Sequence, residues 1–232
     1  MKLVKKGWLL VSAAAMSLAA SAAEAKCPVS EKVCGRENVE WSVGYSYHLT
    51  DGNKDLPRVL LIGDSICNGY QSGVRKRLEG KMNVSYWASS LCVSSPRYIR
   101  MLDYYLDEAK YDIIHFNNGL HSLKTQDDAY EAGLRAALAH IGRKQPEARI
   151  VWCSSTPLKS GEKTGKVRAL NAIGARVAAR LGLAVNDLFS LLDPLDRESN
   201  WLDMYHHRPN VCEKSAAQVA ATVLSENNKS RR

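Results

Sequence analysis

An apolar run, Val59-Leu60-Leu61-Ile62, stops abruptly at Gly63-Asp64-Ser65, and far downstream Asp203-Met204-Tyr205-His206 places a carboxylate and an imidazole three residues apart. A serine hydroxyl is a weak nucleophile until an imidazole accepts its proton, and that imidazole needs a carboxylate to fix its tautomer and stabilise its charged form. The chain offers all three groups: Ser65 as candidate nucleophile, His206 as candidate base and Asp203 as its orienter. Gly63 permits a tight turn after a strand, and a helix starting just beyond it would aim its first free amides at developing negative charge. His207 competes with His206, and the three-residue offset from Asp203 favours His206.

For such distant residues to meet, the elements between them must bring strand ends to one edge. The contiguous apolar residues at 58–63 predict a strand buried on both faces. Further strands are expected at 82–88, 111–118, 149–153 and 183–186, with another candidate at 40–47. Helices are expected at 71–79, 96–109, 127–143, 163–181 and 211–224, with Thr125 or Asp127 as a cap for the third. Strands alternating with helices imply a parallel sheet covered on both faces, whose crevice lies outside the carboxyl ends of the strands. Ser65, Ser89 to Cys92, Asn118 to His121 and Ser154 to Pro157 then follow successive strands. The polar stretch 225–232 is expected to fray.

Lys2, Lys5 and Lys6 precede a largely apolar stretch, and Ala23-Glu24-Ala25 has the small-residue pattern of a cleavage site, with Ala20-Ser21-Ala22 a nearby rival. Residues 1–25 are therefore expected to be a secretory signal peptide, and the apolar stretch is too short and too serine-rich for a stable membrane anchor. The expected organisation is a signal peptide at 1–25, a lead-in at 26–56, one catalytic domain at 57–225 and a polar tail at 226–232, in a protein that is secreted or periplasmic. The formal charge of +8 comes from scattered Lys and Arg without interleaved aromatics, so a solvated basic face is expected rather than a nucleic-acid partner. Cysteines at 27, 34, 67, 92, 153 and 212 all lie in the part expected to be exported, where oxidation can occur. The spacing does not select a pairing. Cys67 and Cys92, both close after expected strand ends, are one candidate bridge. The histidines lack a His-x₃-His pair and a carboxylate cluster, so neither a metal nor another cofactor is expected.

Gly63-Asp64-Ser65-Ile66, Gly119-Leu120-His121 and Asp203-x-x-His206-x-x-Pro209 resemble blocks I, III and V of the SGNH/GDSL hydrolases. The resemblance runs from about Arg58 to Val223. It is especially similar to exported bacterial members with a Phe-Asn-x-Gly-Leu-His segment, here Phe116-Asn117-Asn118-Gly119-Leu120-His121. It implies an α/β flavodoxin-like three-layer fold with a roughly five-stranded parallel sheet. It also implies a serine esterase removing small acyl groups, such as acetyl from carbohydrate, with Ser65, His206 and Asp203 as its triad. A lysophospholipase or thioesterase, or an inactive carbohydrate-binding protein, is the alternative. Two positions depart from the family pattern. Cys92 stands where block II has glycine, and His121 where block III has asparagine. The expected oxyanion donors are the amides of Ser65 and Cys92 with the His121 ring, and Asn117 or Asn118 as substitutes if the turn differs. Trp87 and Trp201 are candidate sugar-stacking residues beside the crevice, and Thr156-Pro157 is expected to wall it.

Overall fold

Val59, Leu60, Leu61 and Ile62 are each fully buried, which a strand achieves only at the centre of a sheet covered on both faces. Burying such side chains contributes about 1.5–3 kcal/mol each, making this strand a main anchor of the fold. The computed structural model describes residues 39–46 and 53–230. The expected signal peptide and most of the lead-in lie outside the described residues.

The described chain runs β1 (Ser42–Tyr45), β2 (Arg58–Gly63), α1 (Ser65–Leu78), β3 (Asn83–Ser89), α2 (Pro96–Asp107) and β4 (Ile113–Phe116). A 3-10 turn at Leu120–Ser122 follows, then α3 (Asp127–Lys144), β5 (Arg149–Cys153), α4 (Gly161–Arg180), β6 (Ala184–Asn186), α5 (Leu188–Leu192), α6 (Arg197–Asn200) and α7 (Pro209–Ser230). The sheet order is β1-β3-β2-β4-β5-β6. Strands β2 to β6 are mutually parallel, and β1 adds an antiparallel edge with Ser42 opposite Ser89 and Tyr45 opposite Tyr86. The α/β flavodoxin-like class expected from the sequence holds, with the antiparallel β1 as a sixth strand.

Alternation along β2 divides the core. Val59 and Leu61 face a cluster shared with Val74 and Leu78 of α1 and Val219 and Val223 of α7, while Leu60 and Ile62 face Leu102, Leu134 and Val177 from α2, α3 and α4. The two helices on the first face pack closely: a Cβ on Gly73 would lie 2.8 Å from the Ala216 Cβ, and Arg77 pairs with Glu213 at 2.7 Å.

Four helices differ from expectation. Helix α1 begins at Ser65 rather than 71 because the Asp64 side chain caps it and Ile66, Cys67 and Tyr70 bury against the sheet, overriding the weak helix propensity of Ser65, Asn68 and Gly69. Helix α7 runs from Pro209, a favoured first-turn residue, to Ser230. The stretch 225–230 is thus helical, with Glu226 almost buried and accepting from Arg149 at 2.8 Å and Lys229 at 2.6 Å. The short helices α5 and α6 lead into the loop carrying Asp203 and are capped by Asp187 and Asp196. No helix among the described residues is long and apolar enough to cross a membrane.

Candidate active site

The chain leaves β2 toward β3 on one side and later returns to β4 on the other, which makes the carboxyl end of β2 the switch point of the sheet. Ser65 stands there, half-buried in the first turn of α1. The turn is built by close approach. A Cβ on Gly63 would come within 2.5 Å of the Cys67 Cβ, and Asp64 Oδ1 accepts the Ile66 N–H at 2.9 Å. Capping in this way starts the helix at Ser65 and leaves the Ser65 amide at its positive end.

On the far wall, Asp203 organises its own loop. Its Oδ1 accepts the N–H groups of Tyr205 and His206, each at 2.8 Å, an aspartate turn of the kind that fixes short loops. Its Oδ2 lies 2.7 Å from His206 Nδ1, and His206 Nε2 lies 2.9 Å from Ser65 Oγ. The backbone N–H of His206, helped by its ring and by the Tyr205 N–H, lowers the Asp203 pKa to about 2. A carboxylate at Nδ1 puts the imidazole proton on that nitrogen and leaves Nε2 to accept from the serine hydroxyl. The structure therefore brings together the three residues singled out in the sequence. His207 turns the other way: it is 5% exposed, edge-on to Trp201 at 4.8 Å, and burial lowers its pKa to about 4.

The loops after β3 and β4 form an interlocked polar wall. Asn118 accepts the Val93 N–H at 3.0 Å and the Ser122 hydroxyl at 3.1 Å, and donates to the Leu91 carbonyl at 2.9 Å. Asn117 donates to the Cys153 carbonyl at 2.7 Å and Ser155 Oγ at 3.2 Å. Both candidate asparagines thus staple loops together instead of presenting their amides to the crevice. Gly119 is required by contact, since a Cβ there would lie 1.9 Å from Ser155 Oγ. Half-buried His121 occupies the 3-10 turn that follows. Cys92 sits in the loop held by Asn118, and its carbonyl accepts the Ser95 N–H at 2.9 Å.

Other expectations are corrected. Trp87 and Trp201 are 0% and 1% exposed. Trp87 donates to Ser42 Oγ at 2.8 Å and stacks on Tyr105, and Trp201 donates to the Pro157 carbonyl at 3.2 Å, so both are core residues and neither can meet a sugar. Cys67 is a buried free thiol whose pKa burial raises to about 12. Cys92 is in a disulfide, but Cys67, Cys153 and Cys212 are all free, which rules out the Cys67–Cys92 bridge. Thr156, buried beside Pro157, lies in the segment after β5. Among the described residues no group of three or more His, Cys, Asp or Glu is placed to hold a metal.

One aromatic beside His121 belongs to no motif of the sequence. Trp41, immediately before β1, is half-buried and meets the His121 ring edge-on with centroids 6.1 Å apart. The candidate strand at 40–47 was the available signal, because pairing it with β3 carries Trp41 to the loop after that strand. Tyr205 and Leu202 are 43% and 58% exposed and put apolar surface beside His206.

No protein-family model matches the sequence, and no curated protein matches it. Solved structures do match in fold. A carbohydrate esterase family 3 protein from Talaromyces cellulolyticus is similar at 12% identity and TM-score 0.63, with 75% of this chain and 99% of that one covered. An acetylxylan esterase from Geobacillus stearothermophilus is similar at 16% identity and TM-score 0.60, covering 74% and 94%. A GDSL-like, lipase-type protein from Parabacteroides merdae is similar at 15% identity and TM-score 0.59, covering 72% and 94%. The chain has the three-layer fold that these proteins share, with Ser65 at the switch point of its sheet.

Proposed function

We propose that the chain is a serine esterase that releases small acyl groups, acetyl above all, from acylated carbohydrates. The observation that carries this reading is the hydrogen-bonded series Ser65–His206–Asp203 at the switch point. Ser65 Oγ attacks the acyl carbonyl carbon while His206 Nε2 takes its proton, and Asp203 stabilises the resulting imidazolium. The oxyanion accepts from the Ser65 amide at the start of α1, from the Cys92 amide and from the ring N–H of His121. Collapse expels the alcohol, which takes the proton from His206, and leaves Ser65 acylated. Water then attacks the acyl-enzyme with His206 again as base, releasing the carboxylic acid and restoring Ser65.

Fold neighbours that are acetylxylan and carbohydrate esterases support the acetyl and carbohydrate preference. Export rests on the basic, apolar and Ala-x-Ala pattern of residues 1–25, and N-terminal sequencing of the protein recovered outside the cytoplasm should begin at Lys26. The activity test is a para-nitrophenyl ester series with fluorophosphonate labelling. Turnover should be greatest on acetate and fall with acyl length, and labelling should vanish in Ser65→Ala. Retained labelling in that variant would remove Ser65 as nucleophile. A preference for long acyl chains would favour the lysophospholipase or thioesterase reading, and a folded protein that neither turns over nor labels would be a binder.

A further inference from the structure

Residues 40–45 precede the strand and helix alternation, yet they are fastened to the oxyanion wall at several points. The Trp41 N–H donates to Ser90 Oγ at 2.8 Å, and the Ser90 N–H donates back to the Trp41 carbonyl at 3.1 Å. Ser42 lies opposite Ser89 in the sheet and accepts the Trp87 indole N–H at 2.8 Å. Glu40 pairs with Arg97 of α2 at 2.7 Å. These contacts fix the Trp41 backbone relative to Ser89 and Ser90, next to the Leu91-Cys92 loop.

The indole packs against the apolar cluster that includes Ile66, just past the nucleophile, and Leu120, just before His121. Its ring stands at 81° to the His121 imidazole, an edge-to-face geometry that aromatic quadrupoles favour over a parallel sandwich. The 3-10 turn at Leu120–Ser122 fixes the His121 backbone, and packing against the imidazole narrows the two torsions of its side chain. An oxyanion donor stabilises the transition state only when it is already aimed, because reorientation during the reaction forfeits most of the gain.

We propose that Trp41 is a positioning residue for ester hydrolysis: its edge-to-face contact holds the His121 imidazole so that a ring N–H points at the developing oxyanion. The segment before the α/β core is thereby part of the catalytic apparatus. This rests on the reading of His121 as an oxyanion donor.

The test is a double-mutant cycle in the full chain on para-nitrophenyl acetate, with Ser65→Ala as the inactive baseline. Trp41→Ala should lower kcat on the order of tenfold, less than the ~10²–10³ expected for removing a donor outright, and should leave KM within about twofold. Trp41→Phe should recover most of the loss. In a His121→Ala background, adding Trp41→Ala should change kcat by less than about twofold, since positioning an absent ring has no further effect. A fully additive loss overturns the proposal and leaves the donor reading intact. Wild-type kcat in His121→Ala, with Ser65→Ala inactive, overturns both. An activity-independent readout is the NMR shift of the His121 ring protons, assigned by their absence in His121→Ala. They should lose the indole ring-current shift in Trp41→Ala and keep part of a ring-current shift in Trp41→Phe; shifts unchanged by either variant overturn the proposal. If Trp41→Ala does not fold, Trp41→Phe and Trp41→Leu serve in the same cycle, Leu losing and Phe retaining function.

Discussion

The two walls of the crevice are built on opposite principles. Asp203 and His206 belong to one short loop whose ends are tied by the Leu202 N–H to the His206 carbonyl at 2.8 Å, and their side chains are 56% and 44% exposed. In the loops after β3 and β4, by contrast, Cys92, Asn117, Asn118 and Ser122 are at most 9% exposed, and both asparagine amides are bonded within the protein. A base that shuttles protons and later activates water needs access to solvent. Donors for an oxyanion need the reverse, a dry and unmoving frame. Substitutions on the open wall should therefore remove chemistry and spare the fold, while those on the closed wall should damage both.

The largest effect should come from Ser65 and the open wall. Ser65→Ala and His206→Ala are each expected to lower ester turnover by ~10⁴-fold or more with unchanged melting temperatures. Asp203→Asn should approach that loss, because a carboxamide favours the wrong imidazole tautomer. Thermal unfolding alongside para-nitrophenyl acetate kinetics checks this, and a marked loss of stability in these variants would break the contrast. His207→Ala should behave oppositely, lowering stability through its buried contact with Trp201 while keeping most of the activity.

Next in size, His121→Ala should lower kcat by ~10²–10³ with little change in KM, and His121→Asn should recover part of it. Normal turnover in His121→Ala would remove its ring from the donor role. On the closed wall, Asn118→Ala leaves the Val93 N–H and the Leu91 carbonyl without their partner, at about 1–3 kcal/mol for each buried group. Chemical denaturation should register that loss together with reduced turnover; a stable but inactive Asn118→Ala would mean that the wall is less interlocked than its hydrogen bonds imply.

The smallest effect is one of pH. Burial lowers the pKa values of His115 and His207 from 6.5 to about 4. Between those values the unfolded chain binds protons that the folded chain refuses, so their contribution is fully present above pH 6.5 and is lost as pH falls toward 4. Asp203, lowered from 3.8 to about 2, extends the loss below pH 3.8. Denaturation midpoints should fall from pH 7 to pH 4, and His207→Phe should flatten part of that slope; a slope unchanged by this variant would show that His207 does not carry it.

The parallel strands were legible because their signal is simple. The runs at 58–63 and 149–153 coincide with β2 and β5, since each carries an unbroken apolar stretch, Val59 to Ile62 and Ile150 to Cys153. The first half of α1 was not legible, because Ser65, Asn68 and Gly69 resemble a turn until the Asp64 cap and the sheet beneath are known. Ser65, Asp203 and His206 could be singled out because their chemistry depends on residue type and one short spacing. The fates of Asn117, Asn118, Trp87 and Trp201 were hidden for the converse reason: an amide or indole looks alike in sequence whether it faces a substrate or a carbonyl across the core.

The hydrogen bond between Ser65 and His206 joins residues 141 positions apart, and this sets an order of events at the ribosome. The strands and helices from β2 to β5 can assemble around a serine that is still chemically idle. Only when the Asp203 loop has been synthesised, and α7 has docked on α1 through Gly73, Ala216 and the Arg77–Glu213 pair, does that hydroxyl acquire its base. On the proposed reading of Ser65 as nucleophile, a chain made only as far as β5 carries a serine that cannot yet react.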